Sequence, residues 1–167
     1  MWRVVDCQDN DTSWFDWKQV SKHADVLRFV NLLIQFRLRR DLEHDRRRMS
    51  LSQASREVKH AWHGVKLYQP DWSSLSHSIA IDAELKIEGL AIYLILNAYW
   101  EALDFELPLV RNGREDWRRW IDTALDPPYE ICDWNAAVPV LGATYRAGAR
   151  SVVVFIAGEG VNGRHCR

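Results

Sequence analysis

Cysteine is scarce in this chain, and the few cysteines present form no recognisable framework. There are three, Cys7, Cys132 and Cys166, and no two of them have the spacing of a Cys-x-x-Cys pair. An odd number of thiols without that spacing argues against a disulfide scaffold and against a cysteine-based metal site. The same usage is typical of a reducing compartment, so we expect a cytoplasmic protein that holds no metal.

Long apolar runs and an excess of charge of one sign are also lacking. No segment approaches the roughly 18 apolar residues of a membrane-spanning helix, and residues 1–6 are too short and polar for a signal peptide. The net charge of −1 gives no electrostatic reason to expect nucleic acid. With 47% hydrophobic residues, the 167-residue chain can form one globular domain with a buried core and an appendage.

One segment matches the glycine motif of dinucleotide-binding sites without the elements that such a site requires around it. Residues 158–163 read Gly-Glu-Gly-Val-Asn-Gly and follow a strand-like segment. A Rossmann site needs a helix behind the glycines and an acidic residue further along, and neither follows here. We therefore predict a flexible tail at 158–167 and no cofactor.

The first half of the chain contains a helical pattern and then a mixed-charge stretch. Apolar residues recur at three- and four-residue spacing from His23 to Arg40, which predicts an α-helix with Ser21 as a candidate cap. Its apolar face is broad, so we expect it to be covered on more than one side. Arginines and acids interleave after it, which favours a solvated connector over 46–57 rather than an anion site.

From about residue 60 the pattern becomes that of short strands. Turn formers separate the candidate strands, and no helix alternates with them, so we predict an antiparallel β-sandwich over 58–157. The candidate strands are residues 78–85, 90–97, 103–108, 118–123 and 151–157.

Three motifs carry a resemblance to a known family. The first is the polar and aromatic loop 7–17; the second is Trp62-His63-Gly64-Val65-Lys66 followed by residues 69–73; the third is Leu96-Asn97-Ala98-Tyr99-Trp100-Glu101 followed by 103–108 and 120–124. In this order they resemble the C-terminal part of isoamylase-type glycogen and starch debranching enzymes, glycoside hydrolases of the α-amylase superfamily. The resemblance covers about residues 6–157.

The resemblance implies a mainly β fold. An antiparallel β-sandwich would be preceded, at residues 1–45, by a loop and the last α-helix of a catalytic (β/α)8 barrel. Because only six residues precede the loop, we expect the chain to be a portion of a larger enzyme.

The resemblance also implies hydrolysis of α-1,6-glucosidic branches, which requires two carboxyl groups roughly 5 to 10 Å apart across the bond. In the resembled enzymes these groups lie on earlier barrel strands, so we assign no catalytic residue and expect the chain alone to be inactive. Asp9, Asp11 and Asp16 are close in sequence, but nothing would hold them across a bond.

Two groups of residues are candidates for substrate binding. By resemblance, Gln8, Asp9 and Asn10 border the cleft, although such residues also tie a loop to itself. In the second motif, Trp62 and Trp72 can stack on glucose rings, while His63 and Asp71 can bond hydroxyl groups. The alternative is that this motif pins the sandwich against the barrel. Gly64 would allow a close backbone approach or a positive φ.

Three hypotheses about the whole chain therefore remain open. It is a debranching-enzyme fragment, a free-standing carbohydrate-binding module, or a structural subunit that docks on a separate barrel chain. The expected partners are an α-glucan such as glycogen or starch and the missing barrel, in cis or in trans, with no nucleic acid and no membrane. The fragment hypothesis predicts better solubility without residues 1–45, whereas unfolding on that deletion would favour the module.

Overall fold

The computed structural model describes residue 14 and residues 16–43, 58–85, 89–110 and 116–158. The candidate residues Gln8, Asp9 and Asn10 lie outside these ranges, as do the predicted connector and the tail beyond Gly158.

The predicted helix over His23–Arg40 is present as α2 (Ala24–Glu43), and a short helix that was not predicted, α1 (Lys18–Lys22), precedes it. Ser21 does not cap it: this residue lies inside α1, and its hydroxyl donates to the Lys18 carbonyl at 3.0 Å. The carboxylate of Asp16 takes that role, because it accepts from the Lys18 N–H at 3.0 Å and the Gln19 amide at 3.1 Å. Within the described residues, neither helix combines the length and apolarity needed to cross a membrane.

Eight antiparallel strands form the rest of the described structure and confirm the predicted β-rich fold. They are β1 (Val58–His63), β2 (Ser78–Leu85), β3 (Leu90–Asn97), β4 (Leu103–Glu106), β5 (Arg118–Asp122), β6 (Val138–Pro139), β7 (Thr144–Ala147) and β8 (Ser151–Gly158). A six-stranded sheet has the order β1-β2-β3-β8-β5-β6, and β4 pairs with β7 in a second sheet. A short 3₁₀ turn, Trp134–Ala136, precedes β6.

The main core lies between the two sheets. Alternate residues of the central strands, Tyr93 and Ile95 of β3 and Val153 and Phe155 of β8, are fully buried and pack with Phe105 of β4. This period-two burial follows from the strand geometry, which turns alternate residues toward the second sheet, although the sequences of β3 and β8 are continuous apolar runs.

The helix α2 packs on the other face of the six-stranded sheet. Phe36 stacks on Trp134 with ring centroids 4.3 Å apart and contacts Trp120 at 4.7 Å. Both tryptophans border a second cluster built around Leu90 and Ile156. Arg28 adds an ion pair with Glu130.

Among the residues that the structure describes, the sandwich covers one side of the broad apolar face of α2. We expected this face to be covered on more than one side. The second side consists of large apolar side chains that are 43–56% exposed. These residues, called the outer stripe below, are Val26, Leu27, Val30, Ile34 and Leu38.

Candidate functional site

The structure brings Trp62 and Trp72 into contact at the β1 edge of the described six-stranded sheet. Trp62 is the penultimate residue of the edge strand β1, and Trp72 belongs to the loop that joins β1 to β2. Their ring centroids are 5.5 Å apart and the planes meet at 70°, an edge-to-face pair. The rings are 42% and 66% exposed, so both present indole surface to solvent. An exposed pair of this kind can receive the apolar faces of sugar rings.

The loop between β1 and β2 is fixed by a close backbone approach at Gly64. A β-carbon at this position would overlap the carbonyl oxygen of Gln69, so any other residue would push the two backbone segments apart. The prediction of a close approach is therefore confirmed, while the positive φ is not found. The loop is also tied to β4: Glu106 donates its N–H to the Val65 carbonyl at 2.9 Å and accepts from the Leu67 N–H at 3.0 Å.

His63 lies beneath this loop and not on its surface. Its side chain is 0% exposed, and its Nδ1 accepts a hydrogen bond from the Tyr68 N–H at 2.9 Å. An accepting Nδ1 assigns the ring hydrogen to Nε2, which points toward Oδ1 of Asp82 at 3.6 Å. The geometry makes His63 a positioning residue for the loop. Direct bonding of His63 to a sugar hydroxyl stays a prediction that would require the loop to open.

Asp71 is fully exposed and shapes the turn before Trp72. Its Oδ1 accepts from the Ser73 N–H at 2.9 Å, which closes an Asx-type turn. Hydrogen bonds from the backbone and then the side chain of Ser73 hold the pKa of this carboxyl below its ordinary value. The side chain therefore acts as a hydrogen-bond acceptor at neutral pH. Its predicted contact with a sugar stays a prediction, alongside the structural role that the turn shows.

A second aromatic group lies at the same end of the sheet and was not among the predicted site residues. His77 stacks on Tyr99 with ring centroids 6.3 Å apart and planes at 19°, and Tyr99 contacts Trp100 at 4.0 Å and 31°. Trp100 is 61% exposed. We name these three residues the Tyr99 stack. The sequence signal was an asparagine at a strand end followed by two aromatics, which we used only as a motif of resemblance.

Asn97 holds the Tyr99 stack in place. This side chain is 1% exposed; it donates to the carbonyls of Glu101 at 3.0 Å and Gly148 at 2.7 Å, and it accepts from the Tyr99 N–H at 3.1 Å. The Tyr99 carbonyl in turn accepts from the Arg150 N–H at 3.0 Å. Buried side-chain hydrogen bonds to the backbone fix a turn in one conformation, so the rings of Tyr99 and Trp100 have a defined orientation.

The match to known proteins falls on this sandwich. The family described as "Isoamylase 1-3, C-terminal" matches residues 61–151, which is more than half of the chain. The chain belongs to this isoamylase family. It is similar to "Isoamylase 1, chloroplastic" of Oryza sativa subsp. japonica, with 27% identity over 125 residues. That alignment covers 75% of this chain and 14% of the rice protein, so the chain spans a small part of its relative's length.

The isoamylase C-terminal match contains both aromatic groups but neither helix. It begins one residue before Trp62 and ends at Ser151, the first residue of β8. The Trp62–Trp72 pair and the Tyr99 stack therefore belong to the part of the chain that defines the family, while α1 and α2 lie outside it.

Several carboxylates among the described residues have structural partners. Asp122 accepts from the Tyr145 hydroxyl at 2.6 Å, and Asp82 accepts from the Ala61 N–H at 2.7 Å. Glu130 pairs with Arg28, and Asp16 caps α1. Among the described residues, no group of three or more histidine, cysteine or acidic side chains is arranged to hold a metal ion. Burial raises the pKa of the Cys132 thiol, which makes it a poor nucleophile.

Proposed function

We propose that this chain is the C-terminal portion of a debranching enzyme that hydrolyses α-1,6-glucosidic branches in glycogen or starch, acting in the cytoplasm. The observation that carries the proposal is the family match over residues 61–151. Its substrate would be the α-glucan. Its second partner would be a catalytic barrel, in the same chain or in a separate one.

The chain by itself would not catalyse the reaction. Glycoside hydrolysis requires an acid and a nucleophile or base held on either side of one bond. Asp16, the one member of the early aspartate group that is described, is engaged in capping α1. The half-buried Asp82 and the buried Asp122 accept hydrogen bonds inside the fold, and the buried Glu130 pairs with Arg28 through Oε1.

The chain's contribution would be to stabilise the barrel and to add contacts to the glucan. Support for the first part comes from the outer stripe of α2, because contiguous exposed apolar side chains are usual at interaction surfaces. Support for the second part comes from the exposed Trp62–Trp72 pair.

The test measures reducing ends released from amylopectin and pullulan by four samples: this chain, an isoamylase-type barrel without its C-terminal domain, the two mixed, and the two fused. We expect no release by the chain alone, and more release or greater heat resistance for the fused or mixed samples than for the barrel. Release by the chain alone that Asp9→Ala abolishes would contradict the proposal. So would a barrel that gains nothing from the chain.

A second candidate function is that of a free carbohydrate-binding module. The observation that favours it is the Trp62–Trp72 pair, whose rings are exposed and in contact with each other. Co-sedimentation with glycogen tests it, with the Trp62→Ala, Trp72→Ala double variant beside the original chain. Binding that only the double variant loses supports the module, whereas equal sedimentation of both proteins contradicts it.

A further inference from the structure

We propose that the Tyr99 stack, with Trp100 as its exposed ring, is a second α-glucan-binding surface. The ligand class rests on the proposed function. The location rests on the geometry of the stack, which neither the family match nor the predicted site residues assign.

The strand register places this surface at the same end of the six-stranded sheet as the Trp62–Trp72 pair. Asn97 at the end of β3 lies opposite Ser78 at the start of β2 and opposite Ser151 at the start of β8. His63, at the end of β1, lies opposite Ala80, two residues from the start of β2. The loops that carry Trp72, Trp100 and Arg150 therefore leave the sheet at one end.

The exposed position of Trp100 follows from the turn that carries it and from the rings that support it. The Asn97 bonds fix residues 97–101 as a turn, and Tyr99 supports the indole from one side while His77 supports Tyr99. A ring that is already ordered loses little side-chain entropy when a ligand packs on it. The remaining 61% of the Trp100 surface is left open.

The surroundings of Trp100 suit a sugar better than a protein partner. Its neighbours Glu101, His77 and Arg150 are exposed, so the indole stands among side chains that donate or accept hydrogen bonds. A protein interface needs a wider apolar centre, commonly several hundred square ångströms. A glucose ring needs an apolar platform of ring size together with bonds to hydroxyls, which this arrangement offers.

Two separate surfaces at one end would let one branched glucan engage the chain twice. When one surface is bound, the second meets its ligand at a high local concentration. The affinity for a polymer that reaches both surfaces is therefore higher than the affinity of either surface alone. Loss of Trp100 should therefore weaken binding to a large polymer more than binding to a short oligosaccharide.

The experiment measures retention of the 167-residue chain by glycogen and by maltoheptaose in affinity electrophoresis and calorimetry. The variants are Trp100→Ala, Trp100→Phe, the Trp62→Ala, Trp72→Ala double variant, and Leu109→Ala. Leu109 is the control, since its side chain is 92% exposed and it belongs to neither aromatic group. Thermal unfolding of each variant confirms that it is folded.

We expect Trp100→Ala to weaken glycogen binding by about fivefold or more, as truncation of an anchoring aromatic commonly does. Trp100→Phe should retain most of the affinity, and Leu109→Ala should retain all of it. Equal affinity of Trp100→Ala and the original chain overturns the inference, and so does an original chain that fails to bind glycogen. Neither result affects the proposed debranching role or the stabilisation of the barrel, whose test is the activity of the barrel with and without the chain.

Discussion

At the scale of single residues, β1 contains two histidines whose roles differ because the strand alternates its faces. His60 is exposed, whereas His63 is fully buried and holds the loop that carries Trp72. The two histidines are three residues apart on an edge strand, and sequence pattern alone does not show which of them is buried. The direction in which each ring points follows from the pairing of β1 with β2, in which Ala80 lies opposite His63.

We predict that His63→Ala destabilises the domain by about 2–4 kcal/mol, because it removes a buried ring and leaves the Tyr68 N–H without its acceptor. His60→Ala should change stability by less than about 0.5 kcal/mol, as exposed substitutions usually do. Urea denaturation followed by circular dichroism measures both. Equal values for the two variants would show that the bond to Tyr68 contributes nothing.

Tyr93 predicts a loss of stability at alkaline pH. Its hydroxyl donates to the Glu106 carbonyl at 3.0 Å, and burial, followed by the negative charges of Asp82 and Glu106, raises its pKa above the ordinary 10.0. As the pH rises, the Tyr93 hydroxyl therefore loses its proton in the unfolded chain before it does so in the folded chain. The contribution of Tyr93 to stability is fully present below pH about 10 and falls as the pH rises further.

We expect the free energy of unfolding, measured in urea from pH 8 to 11, to fall with a shallower slope in Tyr93→Phe than in the original chain. Some slope should remain, because burial also raises the pKa of Tyr145. Tyr129→Phe is the control, since Tyr129 is 71% exposed. An unchanged slope in Tyr93→Phe would remove Tyr93 as the cause.

At the scale of elements, sequence pattern located the strands that alternate or that form apolar runs, and it missed strands with few buried positions. The predicted segments 78–85 and 90–97 coincide with β2 and β3, whose positions are mostly buried or half-buried; the first alternates apolar and polar residues, and the second is a β-rich apolar run. The strands β1, β6 and β7 were missed. In β1, Lys59, His60 and Trp62 are exposed. The strands β6 and β7 have two and four residues, and Val138, Pro139, Thr144 and Arg146 are exposed, so little apolar pattern is left to recognise.

The position of α2 depends on contacts that no local pattern contains. Arg28 and Glu130 are 102 residues apart in sequence, and Phe36 meets two tryptophans from the distant β5–β6 region. Sequence reasoning gave the helix and its broad apolar face but not the surface that covers it. The same limit applies to the candidate site. The Trp62–Trp72 pair was predicted as one group, whereas the Tyr99 stack depends on His77, Asn97 and Arg150 meeting in three dimensions.

The Arg28–Glu130 ion pair predicts how strongly α2 is held. The Glu130 side chain is 10% exposed and the Arg28 side chain 33%, and a carboxylate left buried without its partner is costly. We expect Arg28→Ala to destabilise the domain by about 1–3 kcal/mol, which is less than for a fully buried pair because Arg28 is partly in solvent.

Arg146→Ala is the matched control, because the Arg146–Asp104 pair is 70% and 62% exposed. That variant should cost less than about 1 kcal/mol. Adding Glu130→Gln to Arg28→Ala should recover part of the loss, since it removes the unpaired charge. If Arg28→Ala and Arg146→Ala cost the same, the pair does not anchor α2. Both comparisons are made by thermal and urea unfolding.

At the scale of the whole molecule, α2 faces the sandwich with one apolar side and solvent with the other. This division bears on the three hypotheses in opposite ways. The contact of Phe36 with Trp120 and Trp134 is what a self-sufficient module would have. The outer stripe is what a fragment or a docking subunit would have, because such a surface associates unless another element covers it.

Deletion of residues 1–45 separates the two contributions. The deletion removes Arg28 and Phe36, which leaves Glu130 without its ion-pair partner and uncovers Trp120 and Trp134. We therefore expect the shortened chain to melt at a lower temperature than the full chain. A matched variant, Ile34→Glu with Leu38→Gln, keeps α2 and makes the outer stripe more polar.

The matched variant should aggregate less than the original chain and melt at nearly the same temperature, since Ile34 and Leu38 are about half exposed. Scanning calorimetry and light scattering of the three proteins give the answer. If the deletion lowers aggregation and leaves the melting temperature unchanged, α2 does not stabilise the sandwich, and its packing partner is a barrel. If the deletion unfolds the sandwich while the matched variant is more soluble, α2 serves both surfaces: one side completes the sandwich and the other remains for a partner.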